Sequence, residues 1–357
     1  MRSRDQQQLG MFSYVSVESR VPEDHPIRRL RELVDGILKD MDRLFEARYA
    51  REGRPSIPPE RLLRASLLQV VYSVRSERLL MEQLDYNLLF RWFVGLNIDD
   101  RVWDHSTFSF NRERLFDEEV AQRFFESTVL QAQLRGLTSD EHFSVDGTLL
   151  DAWASHKSFR PKGGHGDDDG DFHGARRSND THESTTDPDA RLMRKGKGKE
   201  AKLSYQANTL MENRNGLIVG VDVRHATGTA ERDGALDLID EMLLGEGCTV
   251  GADKGYDTEG FIAALLERKI KPHVAQNMKG RRSAVSARVA RTNGYAISQV
   301  VRKRIEQGFG WTKSVGGLRK LTRIGLQNVR AWTAWSFAAY NLIRIGGIED
   351  WWQPSPT

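Results

Sequence analysis

One cysteine, Cys248, stands in 357 residues, which excludes an internal disulfide and any zinc or iron–sulfur site built from clustered thiolates. No apolar run approaches the roughly 18 residues needed to cross a membrane, and the polar start Met1-Arg2-Ser3-Arg4-Asp5-Gln6 has no signal-peptide core. No membrane partner and a reducing, cytoplasmic location are therefore expected. Charge of one sign is missing only locally. The whole chain carries 53 Lys and Arg against 50 Asp and Glu, a formal +3. Yet between Arg268 and Gly325 the only carboxylate is Glu306, while Arg and Lys recur through the stretch. So basic a segment expects polyanions, because phosphates neutralised by Lys and Arg release their counterions. A lone acid there would repel phosphate unless a divalent cation bridges the two.

The sequence around that acid has helical periodicity. Val301, Ile305 and Phe309 form one apolar stripe, which Ser298 is placed to cap, and Arg302, Glu306 and Lys313 share the neighbouring stripe. A plain surface helix with an Arg–Glu pair explains the same spacing. Gly308 and Gly310 weigh against a long regular helix, at about 1 kcal/mol each relative to Ala.

The rest of the chain divides in two. Residues 1–137 read as a helical N-terminal domain, with segments at 27–45, 59–74, 76–84, 86–94 and 106–134, punctuated by Pro58-Pro59 and by caps at Asp85 and Asp104 or Ser106. Residues 79–90 and 103–112 fit a helix-turn-helix, and equally a three-helix packing unit. From Glu141 the period changes to two. His142 to Asp146 alternates as a strand that Gly147 should break, leaving Asp146 at a strand end. Residues 154–202 are dominated by Gly, Asp, His, Arg and Lys and read as a polar loop insertion without a core. Strands at 203–212 and 217–224 flank an Asn215-Gly216 hairpin signal. A helix (231–244), a strand (248–253) ending in Asp253, a helix (259–268) capped by Thr258, and a strand (271–275) follow. The order predicts a mixed sheet covered by helices, an α/β domain over 138–345 with a tail at 346–357.

If the fourth strand returns beside the first, Asp146 and Asp253 become neighbours and Glu306 joins them from the last catalytic helix. Three carboxylates are a hard-oxygen ligand set for Mg²⁺ or Mn²⁺. Two such ions about 3.5–4 Å apart clamp the attacking and leaving oxygens of a phosphoryl displacement.

Three motifs now carry a resemblance. Ser144-Val145-Asp146-Gly147-Thr148, Val250-Gly251-Ala252-Asp253-Lys254-Gly255-Tyr256-Asp257 and the series Arg302, Glu306, Lys313 resemble the DDE transposases of bacterial insertion sequences, in the insertion-sequence-5-like branch. Arg54-Pro55-Ser56-Ile57-Pro58-Pro59 resembles that family's N-terminal domain, and residues 192–205 its entry into the second strand. The resemblance implies a ribonuclease-H-like fold, with Asp146, Asp253 and Glu306 as catalytic residues and ligands of two Mg²⁺ or Mn²⁺ ions. Its implied partners are DNA, both the terminal inverted repeats and the target, and a second copy in a homodimer on paired ends. A nucleoid-associated location follows. Arg302 and Lys313 are implied to hold DNA phosphates, and Arg304 and Lys303 are assigned to the same strand. The family signature has Tyr where this chain has Gln299, with Tyr295 one turn earlier as the alternative.

Other residues compete. Asp151, Asp222, Asp233 and Asp257 sit where capping and turn roles are usual. His165, His173 and His182 among Asp167, Asp168, Asp169 and Asp171 fit a solvated loop better than a metal site. Trp311 either stacks on a base or anchors its helix, while Trp332, Trp335, Phe337 and Tyr340 are spaced for a core helix. Asp146-Gly147-Thr148-Leu149-Leu150-Asp151 also resembles the first motif of haloacid-dehalogenase-type phosphatases, but Ser144 stands where that chemistry needs its nucleophilic Asp. A nuclease without strand transfer and an inactive DNA-binding protein remain as alternatives.

Overall fold

In the computed structural model, residues 15–49, 52, 56–163, 177–196 and 198–352 are described. Arg54, Pro55, His165, His173, Asp167, Asp168, Asp169 and Asp171 lie outside them. Seven helices open the chain: α1 (Ile27–Asp40), α2 (Asp42–Arg48), α3 (Pro59–Val71), α4 (Glu77–Tyr86), α5 (Leu88–Val94), α6 (His105–Leu115) and α7 (Glu118–Leu134). Side-chain caps set most of the breaks. Ser76, Asn87, Asp104 and Asp117 accept the N–H groups of Leu79, Leu89, Ser106 and Val120 at 3.2, 3.1, 2.8 and 3.0 Å. The helix expected over 106–134 is thus two, because Asp117 starts a new one and Phe116 turns inward onto Trp335 at 5.1 Å. The cap expected at Asp85 falls to Asn87.

The helix-turn-helix geometry does not form. Only Asn87 separates α4 from α5, and α6 follows after Gly95–Asp104, so neither junction is a turn of three or four residues. Instead Glu77 on α4 meets Arg112 and Ser109 of α6, with both ion-pair partners largely buried.

The sheet begins with β1 (His142–Asp151), a correction to the strand expected to stop at Gly147. Gly147 does not break it. A Cβ there would lie 2.3 Å from Gln206 Nε2, 2.7 Å from Glu231 Cγ and 2.9 Å from Asn208 Oδ1, so the glycine makes room for neighbouring side chains in mid-strand. The insertion expected to lack structure holds three short strands: β2 (Phe159–Pro161) pairs with β3 (His182–Ser184), and β4 (Arg191–Arg194) extends the main sheet. Polar burial anchors it. Asp187, fully buried, accepts the Tyr205 hydroxyl at 2.6 Å and the Gly325 N–H at 3.2 Å.

β5 (Ala201–Glu212) runs antiparallel to β1, and β6 (Ile218–His225) antiparallel to β5. After α8 (Ala230–Glu241), β7 (Thr249–Ala252) returns parallel to β1. After α9 (Glu259–Glu267), β8 (Lys271–Val274) lies parallel to β7. The path β4-β5-β1-β7-β8, with β6 also on β5, is a ribonuclease-H-like mixed sheet with flanking helices. Then come α10 (Ala287–Ala290), α11 (Asn293–Val301), a 3₁₀ turn at Arg302–Arg304, α12 (Ile305–Ser314) and α13 (Leu326–Ile348). Trp332, Trp335, Phe337 and Tyr340 of α13 are all buried, and Trp335 packs on Phe124 of α7 at 4.4 Å between ring centroids. The N-terminal helices and the sheet thereby share one apolar core.

Candidate active site

The candidate site lies where the short strand β7 ends. β7 pairs with β1 only over His142–Ser144, so beyond Ser144 that edge of β1 has no strand partner among the described residues. Its backbone groups are met otherwise. The Gly147 N–H donates to Asp146 Oδ1 at 2.9 Å, the Leu149 carbonyl accepts from Lys313 Nζ at 3.2 Å, and the Asp151 carbonyl from the Leu321 N–H at 2.9 Å. Asp146 therefore borders a notch in mid-strand rather than standing at a strand end.

Register puts the two aspartates together. Ser144 pairs with Gly251, and Asp146 and Asp253 each follow two residues later, so both continue the face that Ser144 and Gly251 begin. That face is covered by α11. A Cβ at Gly251 would lie 3.1 Å from Ser298 Oγ, 3.3 Å from Arg302 Cβ and 3.4 Å from Ser144 Oγ. Only glycine lets the helix approach so closely. Glu306, one turn beyond Arg302, extends along the same direction as the aspartates and is near enough to act on the Asp146 charge.

Burial first, then the charges of Glu231, Asp253 and Glu306, push the Asp146 carboxyl up to about 7, against the opposing pull of the Gly147 N–H. Among the described residues, no ion pair within 4 Å involves Asp146, Asp253, Glu231 or Glu306. Also among them, no three His, Cys, Asp or Glu side chains are grouped closely enough to hold one ion. Carboxylate oxygens are what a hard divalent cation such as Mg²⁺ takes, usually one or two of them together with several waters.

The cations expected at the site have different surroundings. Lys313 Nζ bonds to Thr148 Oγ1, two residues from Asp146 on the same face, and burial lowers its pKa. Arg302 Nε donates to Gln299 Oε1 at 2.9 Å, while Gln299 Nε2 donates to the His273 carbonyl at 2.6 Å. At the position where the resemblance expects Tyr, Gln299 thus ties Arg302 to β8. Tyr295 instead donates to the Val274 carbonyl at 3.0 Å. Arg304 Nη1 reaches the Asn213 and Arg214 carbonyls at 3.1 and 3.2 Å, holding the β5–β6 turn, and Lys303 is exposed. Trp311 is half-buried, 5.9 Å from the Tyr340 ring.

Three further expectations are corrected or redrawn. Ser298 does not cap the helix, which starts earlier with Thr292 as its cap; Ser298 is fully buried, with its Oγ 2.6 Å from His142 Nε2. Gly308 and Gly310 do not interrupt α12, where Gly308 lies against Ile218 and Tyr340. Asp257 is more than a cap neighbour: against the cost of burial, the N–H groups of Asn277 and Ala284 at 2.7 and 2.9 Å hold its carboxyl below the usual range. Asp151 binds Lys202 at 2.9 Å, Asp222 accepts from Asn208 and Arg224, Asp233 is exposed, and His182 stacks on Phe159.

The family profile described as "Transposase DDE domain" matches residues 139–342, more than half of the chain, and "Transposase domain (DUF772)" matches residues 15–114. The chain belongs to the DDE transposase family. Among solved structures, a piggyBac transposase synaptic complex with hairpin DNA is similar at 10% identity and a TM-score of 0.44, covering 95% of this chain and 78% of that one. A Mos1 transposase paired-end complex is similar at 10% identity and a TM-score of 0.20, covering 78% and 87%. Similarity at that level carries no residue role across.

DDE transposases generally use divalent metal ions. No helix among the described residues is long and apolar enough to cross a membrane. Sequence reasoning passed over Glu231 and Tyr256. Glu231 stands in the first turn of α8, where an acid is ordinary as a partner of the helix dipole. Tyr256 stands in the Val250–Asp257 motif, which assigns it no role; it is fully buried, and burial first, then the charges of Glu231, Asp146 and Asp253, raise its pKa.

Proposed function

We propose that this protein is a DNA transposase of the insertion-sequence-5-like branch that cleaves insertion-sequence ends and joins them to target DNA. What supports the reading is that the register of β1 and β7 carries Asp146 and Asp253 onto one face and that the charges of Asp253 and Glu306 act on Asp146, with no cationic side chain paired to any of the three among the described residues. Asp146, Asp253 and Glu306 would hold two Mg²⁺ or Mn²⁺ ions. When bound, the ions supply Lewis-acid stabilisation of charge at the reacting phosphodiester.

This chain's own residues do the rest. Arg302, one turn before Glu306, and Lys313, two turns after it, position phosphates of the strand to be cut, with Lys303 and Arg304 beside them; such contacts orient DNA and carry little sequence information. Lys279, Arg282, Arg288 and Arg291, exposed on the approach to α11, widen the basic surface. Water hydrolyses the phosphodiester at the element's end and releases a 3′-hydroxyl. That hydroxyl then attacks a target phosphodiester, forming the new P–O bond as the target strand's 3′-oxygen leaves. The N-terminal helices would help read the terminal repeats, and two copies on paired ends would bring both hydroxyls to one target.

A nuclease shares the first step and lacks the second. The deciding experiment supplies a pre-cut end bearing a free 3′-hydroxyl, together with a supercoiled target plasmid. Covalent joining supports transposition, and cleavage of intact ends without joining of pre-cut ones supports the nuclease. Lys313→Ala is expected to weaken binding across DNA sequences and to reduce the slope of log affinity against log salt by about one. An unchanged slope removes Lys313 from the phosphate contacts.

A further inference from the structure

We propose that Gln299 is a positioning residue for DNA, holding the Arg302 guanidinium so that its two Nη groups present a fork to one phosphate of the strand to be cut. This rests on the assignment of Arg302 to phosphate contacts above and goes further by naming what aims that side chain. Two hydrogen bonds carry it. Arg302 Nε donates to Gln299 Oε1 at 2.9 Å, and Gln299 Nε2 donates to the His273 carbonyl at 2.6 Å. A carbonyl only accepts and Nε only donates, so a single orientation of the amide serves both partners.

The root of the Arg302 side chain is restrained as well. Its Cβ lies 3.3 Å from where a Cβ on Gly251 would stand, two residues before Asp253 at the end of β7. With the stem fixed at Cβ and the head at Nε, the Nη groups remain, and no hydrogen bond or ion pair among the described residues uses them. That end of a guanidinium matches two oxygens of one phosphate. Ordering it before DNA arrives removes part of the entropy cost of binding. Attachment of α11 does not account for Gln299. Tyr295, one turn earlier, already donates to the neighbouring Val274 carbonyl at 3.0 Å and ties the helix to β8. The acceptor oxygen of Gln299 serves Arg302 instead.

The test is a double-mutant cycle on binding of the full chain to a fluorescein-labelled duplex carrying the gene's native flank. Anisotropy is read at one fixed salt concentration for wild type, Gln299→Met, Arg302→Ala and the double variant. Gln299→Met, which keeps the length of the side chain and every charge, is expected to weaken binding about 5-fold or more, and to change nothing further once Arg302→Ala is present. Wild-type binding by Gln299→Met with loss in Arg302→Ala would overturn the proposal and leave the phosphate role of Arg302 standing. A loss from Gln299→Met that persists undiminished beside Arg302→Ala would also overturn it, since Gln299 would then act through the seating of α11. Wild-type binding by Arg302→Ala would remove Arg302 from the phosphate contacts, and Gln299 with it. If near-ultraviolet circular dichroism shows that Gln299→Met does not fold, Arg302→Lys carries the test. That variant keeps the charge but gives up Nε and the fork, so weakened binding is expected and wild-type binding refutes the role.

Discussion

Asp146→Asn is expected to stabilise the metal-free protein while abolishing its chemistry. The folded carboxyl is pushed up to about 7, first by burial, from an ordinary value of 3.8. The sign follows directly. Between those values the folded state binds a proton that the unfolded state has released, so stability falls as pH rises from about 4 to 7 and is level above. Asn carries no such charge. At pH 8 without divalent ions, the variant should therefore exceed wild type by about 2–4 kcal/mol, and the difference should vanish near pH 4. Thermal melting across that range checks it. Added Mg²⁺ or Mn²⁺ should raise the wild-type Tm and leave the variant's unchanged. Loss of several kcal/mol of transition-state stabilisation should cost at least about 10³ in cleavage rate. A variant less stable than wild type at pH 8 would show that Asp146 is held by favourable partners instead.

Trp335→Ala is expected to destabilise the whole protein by about 3–5 kcal/mol. Trp335 is fully buried on α13, with its ring centroid 4.4 Å from Phe124 of α7 and 5.1 Å from Phe116. Its indole N–H has no hydrogen-bond partner among the described residues, so the loss is one of packing and cavity formation. Because the same ring joins the N-terminal helices to the helix behind the sheet, denaturant unfolding should shift as one transition for both regions. A loss confined to the helical signal, with the sheet's transition unmoved, would mean that the two regions fold independently.

The features of the candidate site were legible in unequal parts. Asp253 could be read because β7 does end at Ala252, immediately before it. Glu306 could be read because no other acid occupies its basic stretch. For Asp146 the local pattern misleads: Gly147 reads as a strand break, whereas the opening beside Asp146 comes from the shortness of β7, and the glycine is a packing gap for Glu231, Gln206 and Asn208. Strand length is a property of pairing, which a local pattern does not contain. Ser298 shows the same limit. Its side chain suits a cap, but Thr292 starts the helix and Ser298 is spent on His142 across the sheet. The insertion looked coreless because its anchor is polar, a buried Asp187 that meets Tyr205 and Gly325 from distant parts of the chain. Glu231 was hidden because one acid near a helix start is common, and only the tertiary fold brings it to Gly147.

The most direct test of the three-carboxylate site uses a plasmid carrying the gene's native flanks, incubated with purified protein and Mg²⁺ or Mn²⁺, comparing wild type with Glu306→Gln. Cut positions are mapped at nucleotide resolution, and binding to the flanks is measured alongside. The account predicts metal-dependent cleavage at the flank boundaries by wild type, and none by Glu306→Gln, which still binds the ends. Cleavage by Glu306→Gln at the wild-type rate, or binding without any cleavage by either protein, would contradict it.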